Sequence, residues 1–513
     1  MSPEHTANRS EEEYEALKKE RNFFDKKNSN FEIAKTKIGN IDISRASTVV
    51  DLRTEDETVV DPSKRDIKKD ILEKKEIVKT IEKFTFSNGD SAYISGDQIG
   101  MGAFGEVRHV NEITENGQEE NAGIVIKVFD VKNSKIPQSV LRKSAEAEAA
   151  LLAKLNMAME EIEKKDPGAA RKIALPKLFK YGFFNDNGQE IVADEKNAPL
   201  IFILMSNEGD DFEKQINNDR AKIKENEFNE QDIIEGYFEK LGSTVEALKF
   251  IHEQGYVHHD IKPANITAGG SLLDFGLSYE LTKKEEGESH WDFLERCKRI
   301  GVIPGSVYGT PTYIDASLLF TPDKGGDNFD EDARMPKVSS DTLAFTKSMF
   351  DIICKIADAH RLPYQFFGKK ENDGLPPAFT KEHKQYYDFI FYTLKKEFKK
   401  ENGEQWLPES FFRSQYIGEP GTQIDDNDPD SIFLGVQLEK VRPSIDRVYN
   451  DMKQAFTGLS KQDLDQFRSS MQRVKDIVEK KENFKQFKDN LGGKEGENLI
   501  SEDTLPFRFV NNK

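Results

Sequence analysis

The chain has 513 residues, 36% of them hydrophobic and 33% charged, yet its 36 phenylalanines and 14 tyrosines supply a large core and exclude a wholly disordered protein. A net charge of -19 repels phosphate backbones and excludes non-specific nucleic-acid binding through a global basic field. Two cysteines, Cys297 and Cys354, make no disulfide framework and fit a reducing, cytoplasmic compartment; no apolar h-region opens the chain, and no apolar run approaches the ~20 residues that span a bilayer. Residues 1–60 read as a polar tail or linker with a helix over 11–27. Pro62-Ser63 then opens an amphipathic helix, with Ile67, Ile71, Val78 and Ile81 near one face. It packs on the following unit or binds a partner. Strands are expected at 84–86, 93–100, 105–110 and 124–129, with Asn88-Gly89 and Asn116-Gly117 as turns. A helix over 139–158, rich in Ala, Leu and Glu, precedes strands at 178–184 and 200–205. Beyond residue 230 the pattern turns helical, led by 233–254 with Ile234, Phe238, Leu241, Val245 and Leu248 on one face. The acidic, Gly-containing stretch 323–336 reads as an exposed loop. Amphipathic helices at 382–400, 438–456 and 461–491 read as core-packing elements.

Gly100-Met101-Gly102-Ala103-Phe104-Gly105-Glu106-Val107 has the pattern G-x-G-x-x-G-x-V. A dinucleotide fingerprint needs a strand, then the glycines, then a helix. Here both flanks look like strands, so the glycines form a hairpin that lays backbone N–H groups over phosphates. Lys127 ends Ile124-Val125-Ile126-Lys127. Alone it reads as an edge-strand lysine with its head in water. Following the Gly-rich hairpin, and followed by a helix bearing Glu146 and Glu148, it supplies a fixed positive charge for a nucleotide. Glu148 is the preferred partner because Leu151, Leu152 and Leu155 set the buried stripe; Glu146 is the fallback. His258-His259-Asp260-Ile261-Lys262-Pro263-Ala264-Asn265 and Leu272-Leu273-Asp274-Phe275-Gly276 flank the Gly269-Gly270 turn. They offer one base, Asp260, and two oxygen ligands, Asn265 and Asp274. Mg²⁺ takes oxygen ligands and phosphates, so this small set suffices where ATP supplies the rest.

Between Gly100 and Thr312 these motifs resemble the eukaryotic-type Ser/Thr protein kinase superfamily, in a divergent form. The resemblance implies an α+β, bilobal kinase fold: an N-lobe sheet with one helix, a helical C-lobe, and helical extensions. It divides the chain into a tail (1–60), a helix and hairpin on the N-lobe (61–90), the N-lobe (91–206), the C-lobe with catalytic loop and activation segment (207–360), a divergent helical region (361–492) and an acidic tail (493–513). Asp260 would be the catalytic base, Asn265 and Asp274 the magnesium ligands, and Lys127 with Glu148 the ion pair of an active arrangement. Lys262 matches the Ser/Thr pattern and would sit on the transferring phosphoryl group. Gly309-Thr310-Pro311-Thr312-Tyr313 resembles the substrate-docking loop, with Thr310 near Asp260 and Lys262. Gly100, Gly102, Gly105 and Val107 would cover the nucleotide. Backbone groups of Ser206 to Glu208 would hold adenine, and Asp211 or Asp210 the ribose.

The departures carry information too. His259 stands where the family has an arginine that clamps a phosphorylated activation loop, and imidazole forms no bidentate fork. Activity independent of loop phosphorylation is therefore expected, with the loop held by packing of Trp291 and Phe293 or by a partner; Arg296, Lys298 and Arg299 form a basic cluster that could receive a phosphate instead. The Ala-Pro-Glu landmark reads Asp315-Ala316-Ser317, so its glutamate's ion pair is expected to be lost. Of Asp-x-Trp-x-x-Gly only Asp341 remains, and no late arginine landmark stands out. The tail, with Glu495, Glu497, Glu502 and Asp503 before Leu505-Pro506-Phe507, resembles export signals of type IV-secreted effectors destined for a host cytosol, or is an ordinary acidic tail. The reading is an Mg-ATP-dependent Ser/Thr protein kinase acting on protein hydroxyls. A pseudokinase scaffold and a small-molecule kinase are the alternatives, and the oligomeric state is not encoded in these patterns.

Overall fold

The structure, a computed structural model, describes residues 83–87, 91–101, 105–113, 119–132, 138–191, 198–225, 229–299, 310, 312–319, 335, 337–361, 381–417 and 434–492. The expected elements at 11–27 and 62–81, both Asn-Gly turns, Gly102, the tail from 493 and all of the loop 323–336 except Met335 lie outside them.

The described residues open with a six-stranded antiparallel sheet in the order β1-β2-β3-β4-β6-β5. Its strands are β1 (Lys83–Thr85), β2 (Ser91–Met101), β3 (Glu106–Ile113), β4 (Glu119–Asp130), β5 (Leu178–Phe184) and β6 (Leu200–Ser206). One long helix, α1 (Gln138–Lys165), lies between β4 and β5 in the chain. Strand periodicity sorts β4 between two cores. Ile124, Ile126 and Val128 face one way, into a cluster with Phe84, Phe184 and Phe202, whose rings stack at 4.3 Å and 4.1 Å. Val125 and Phe129 face the other way, into the larger cluster that also holds Ala145, Ala149 and Leu152 of α1. Alternation puts Lys127 on that second face, between Val125 and Phe129.

A short helix, α2 (Pro167–Ala170), follows α1 before β5; the helical part then comprises α3 (Phe212–Lys224), α4 (Glu230–Glu253) and α5 (His290–Arg299), then α6 (Val338–Ile356), α7 (Lys381–Glu397) and α8 (Glu409–Ser414). A two-stranded ribbon, β7 (Tyr256–Val257) with β8 (Tyr279–Glu280), brackets the two chemical motifs. Together the sheet with α1 and the helical part make the α+β, bilobal arrangement. No described helix is long and apolar enough to cross a membrane.

Two helices expected to be continuous are broken. The 438–456 stretch is α9 (Leu434–Val441) and α10 (Ile445–Phe456). Pro443 cannot continue a helix, and Ser444 restarts it by accepting from the Arg447 N–H. The 461–491 stretch is α11 (Lys461–Val478), opened by a Ser460–Asp463 capping box, and α12 (Lys481–Gly492). These C-terminal helices do not stand apart. Leu438, Val448, Met452, Phe467 and Met471 join the same apolar cluster as α1, α4 and α6.

Candidate active site

The Gly-rich segment is a hairpin, since β2 and β3 pair antiparallel with Gly100 opposite Val107. Val107 in turn lies opposite Lys127 on β4. Directly paired residues share a face, so Gly100, Val107 and Lys127 form one row across three strands. Gly105 has a packing reason for being glycine: a Cβ there would come within 2.9 Å of the Val128 carbonyl oxygen.

Lys127 Nζ donates to both oxygens of Glu148 at 2.8 Å and to Asp274 Oδ1 at 2.7 Å. Glu148 sits on the stripe of α1 that also carries Ala145, Leu152 and Leu155, which is why Glu148, and not the half-exposed Glu146, meets the lysine. Burial would lower the Lys127 ammonium, but the Asp274 and Glu148 carboxylates outweigh it and hold the lysine charged. Burial would raise Asp274, and the Lys127 charge and hydrogen bond bring it below its usual value. Glu148 is pushed up by burial, against the pull of Lys127. One ammonium thus ties strand, helix and the Asp-Phe-Gly segment together, with Asp274 ionised.

The second cluster centres on Asp260. Its Oδ2 accepts from Lys262 Nζ at 2.6 Å and Asn265 Nδ2 at 2.9 Å. Its Oδ1 accepts from the Thr310 hydroxyl at 3.0 Å and the Thr310 N–H at 3.1 Å. Lys262 also donates to Thr310 Oγ1 at 2.9 Å. Residues five and fifty positions apart from Asp260 are therefore gathered on one carboxylate. Because Asn265 turns its amide nitrogen to Asp260, its Oδ1 is the group left to meet a cation. Among the described residues no cluster of three His, Cys, Asp or Glu side chains could hold a metal. Magnesium does not need one: it keeps waters and takes one or two protein oxygens alongside phosphates, which the Asn265 and Asp274 pair fits.

What shapes this loop was only partly legible. His259 and Asp274 adopt left-handed backbone, with φ of 67° and 62°, which is strained for a bulky side chain. Asp341 pins the loop by accepting from the His258 and His259 N–H groups, each at 2.8 Å, and from His252 Nε2 at 2.9 Å. His258, fully buried, donates from Nε2 to the Leu273 carbonyl at 3.0 Å and so links the Asp260 loop to the Asp274 segment. Beneath that segment, Gly270 is required: with φ of +85°, a Cβ would stand 2.3 Å from the Lys240 carbonyl oxygen. His259 meets Tyr279 edge-on at 4.9 Å, and its Nδ1 has no hydrogen-bond partner among the described residues. Burial lowers its pKa, which keeps it neutral at pH 7.

Several expected nucleotide contacts have other partners. The Ser206 N–H donates to the Lys177 carbonyl at 2.9 Å, and the Asn207 N–H to the Gly123 carbonyl at 2.9 Å. The Ser206 hydroxyl donates to Glu208 at 2.6 Å, and Ser271 donates to the other Glu208 oxygen at 2.7 Å. Asp211 caps α3, accepting from the Lys214 N–H at 2.9 Å, and Asp210 pairs with Lys214 at 3.8 Å. The backbone donors of Ser206 and Asn207 are thus occupied by the protein, and the adenine contact expected of the 206–208 backbone would fall to its remaining backbone groups.

Comparison with known proteins agrees with the geometry. No protein-family model matches the chain. A stretch of 93 residues, 16% of the chain, is 36% identical to the serine/threonine-protein kinase PknD of Chlamydia trachomatis serovar D, of which it covers 10%. A stretch of 209 residues, 40% of the chain, is 24% identical to CBL-interacting protein kinase 2 of Oryza sativa subsp. japonica, covering 39% of it. These matches support reading the chain as a divergent member of the protein-kinase superfamily. The matches span only a tenth of the chlamydial kinase and about two fifths of the rice kinase. A crystal structure of a kinase domain aligns over 79% of this chain and 94% of its own, at 14% identity and a loose TM-score of 0.34.

The segment Asp315-Ala316-Ser317, where an ion pair was expected to be lost, carries one. Asp315 and Arg442 form a fully buried bidentate pair, with Nη1 to Oδ2 at 2.5 Å and Nη2 to Oδ1 at 2.9 Å. The carboxylate stands at Asp315, two residues before Ser317, and the arginine sits in the break between α9 and α10. The Asp315 segment was singled out in the sequence, but Arg442 carries no local motif that pairs it with Asp315.

Proposed function

We propose that the chain is an active Ser/Thr protein kinase, transferring the γ-phosphate of Mg-ATP to protein hydroxyls. The observation that carries this is Lys127 bonded at once to Glu148 and Asp274, while Lys262, Asn265 and Thr310 converge on Asp260 in the loop that His258 ties to the Asp274 segment. Lys127, Asn265 and Asp274 would hold Mg-ATP, which supplies the phosphoryl group and the metal charge that offsets it. Asp260 orients the incoming hydroxyl and accepts its proton. Lys262 places a positive charge beside that carboxylate. Thr310 fixes the carboxylate's orientation through two hydrogen bonds. The strained backbone at His259 and Asp274 is held by Asp341 and His258, so the groups are positioned before substrate arrives.

The test is incubation with γ-labelled ATP, Mg²⁺ and a generic basic protein. Label is expected on serine or threonine, and chelation of the metal is expected to remove it. Label confined to a small metabolite, or no transfer at all, would replace the reading with a small-molecule kinase or a binding scaffold.

Loop phosphorylation is not needed in this reading. Neutral His259 offers no fork to a phosphate, and the basic cluster is otherwise engaged at Arg296. Its guanidinium donates to both oxygens of Glu288 at 2.8 Å and to the Lys283 carbonyl at 2.9 Å, and Arg296 holds the Glu288 carboxyl down to about 2. Phe293, Leu294 and Cys297 give α5 a buried face; the Trp291 and Lys298 side chains lie outside the described residues. Phosphatase treatment is therefore expected to leave the initial rate within about twofold. A large loss, restored by rephosphorylation at a loop serine or threonine, would overturn this.

A further inference from the structure

Lys347 is a lysine where a helix interior should carry an apolar side chain. It lies on α6, is 1% exposed, and is among the largest fully buried side chains of the protein. Its Nζ donates to the Ile314 carbonyl at 3.3 Å and lies 5.7 Å from the centre of the Tyr387 ring. The Ile314 N–H donates to the Thr310 carbonyl at 3.0 Å, and the Tyr313 N–H donates to the same oxygen at 2.9 Å. Thr310 holds Asp260 Oδ1 through its hydroxyl and its N–H. A short chain of hydrogen bonds thus runs from a buried amine to the carboxylate proposed as base.

We propose that Lys347 is a positioning residue, setting the orientation of Asp260 through Ile314 and Thr310, and that a proton gained by its amine loosens this linkage. The inference rests on the phosphotransfer reading above. The charged groups acting on the amine are Asp315 on the loop before α6 and Arg442 between α9 and α10; Lys337 at the start of α6 acts on the same Asp315, and the Tyr387 ring on α7 lies beside the amine. Three cationic side chains therefore share one carboxylate, and Arg442 already bonds both of its oxygens. Tyr387 gives its hydroxyl proton to the Gln415 carbonyl at 2.9 Å. An ammonium in this place is repelled by Arg442 and competes with it for Asp315. Burial pushes the amine down to about 7, with Asp315 opposing and Arg442 adding to the shift. The group therefore changes charge within the physiological range. In its neutral form it still donates an N–H to Ile314 and leaves the Asp315–Arg442 pair undisturbed.

The experiment measures kcat at saturating ATP from pH 6 to 8.5, together with the thermal unfolding midpoint, for wild type, Lys347→Met and Lys347→Arg. At one pH unit below 7, about one tenth of the amine is uncharged, so wild-type kcat at pH 6 is expected at about a tenth of its pH 8.5 value. Lys347→Met, apolar and similar in length, is expected to give a flat profile on a lower plateau, with KM for ATP unchanged. Lys347→Arg, charged throughout, is expected to be slow at every pH; should it fail to fold, the methionine variant carries the test. The unfolding midpoint adds a readout that needs no activity. The unfolded lysine keeps its proton up to about pH 10.4, while the folded one releases it near 7, so wild type should gain stability relative to Lys347→Met between pH 7 and 8.5. Parallel kcat profiles for wild type and Lys347→Met would overturn the positioning role. Absence of transfer by wild type at every pH would remove the kinase reading and the positioning role with it, and the midpoints would then still show whether Lys347 titrates.

Discussion

Asp260→Asn is expected to lower phosphotransfer by about 10²–10⁴-fold, the usual range for removing a general base. The structure adds a reason beyond basicity. Both Asp260 oxygens face donors: Lys262 and Asn265 on one, the Thr310 hydroxyl and N–H on the other. Whichever way an asparagine amide turns, its NH₂ points at donors, so the loop loses hydrogen bonds as well as its negative charge. Thr310 and Lys262 would then lose the anchor that gathers them. Asp260 is itself only 7% exposed, but its neighbours are anchored independently by Asp341, so the variant should fold. Circular dichroism and the unfolding midpoint distinguish a folded, inactive protein from an unfolded one. Turnover within a few-fold of wild type in the folded variant would sink the assignment.

Arg442→Ala is expected to be the most destabilising of the single substitutions considered. The guanidinium is 0% and the Asp315 carboxylate 1% exposed, and Arg442 Nε also donates to the Tyr416 carbonyl at 2.8 Å. Removing one member of a buried pair leaves the other charged and unpaired, which costs about 3–5 kcal/mol. Against a total of roughly 5–15 kcal/mol for a folded protein, that is a large share. Urea midpoints report it, and an unchanged midpoint would refute it. The double variant Arg442→Met with Asp315→Leu should recover part of the loss, since an apolar pair leaves no orphaned charge. A pH dependence follows as well. Burial would raise the Asp315 carboxyl, but the Arg442 guanidinium holds it well below its ordinary value. The pair therefore stabilises the fold fully above the unfolded carboxyl pKa of about 3.9 and loses that contribution as the pH falls below it. Wild type should lose stability more steeply than Arg442→Ala on acidification below pH 4.

The chemical heart of the site was legible because its parts are local. Asp260, Lys262 and Asn265 lie on one loop, and Asp274 follows after a single turn. Lys127 and Glu148 were legible for a different reason. Lys127 ends the strand that follows the Gly-rich hairpin and precedes a Glu-bearing helix, and helix register put Glu148 at the inner edge of the stripe set by Leu151, Leu152 and Leu155. What escaped depended on contacts far apart in sequence. The Asp315–Arg442 pair joins positions 127 residues apart, and Arg442 carries no motif that points to its partner. The broken helices at Pro443 and Glu479 were masked by apolar periodicity that continues across the breaks. The Gly105 requirement came from a neighbouring strand's carbonyl, a partner that periodicity within one segment does not reveal. Nothing in the local sequence marks Lys347 as buried, since lysine is mostly a surface residue.

The continuity of the apolar cluster from Val125 on β4 to Val478 on α11 has a consequence for how loss of function should be read. Chains of this length commonly divide into units that melt separately. Here Phe467, near the end of the described chain, packs against Phe350, Phe398, Trp406 and Phe456, in the cluster that also holds Phe275 beside Asp274. Damage to those distant rings therefore shifts the population of intact molecules before it alters any rate constant. A cell carrying such a lesion would show reduced output through lower abundance, while each surviving molecule kept its turnover.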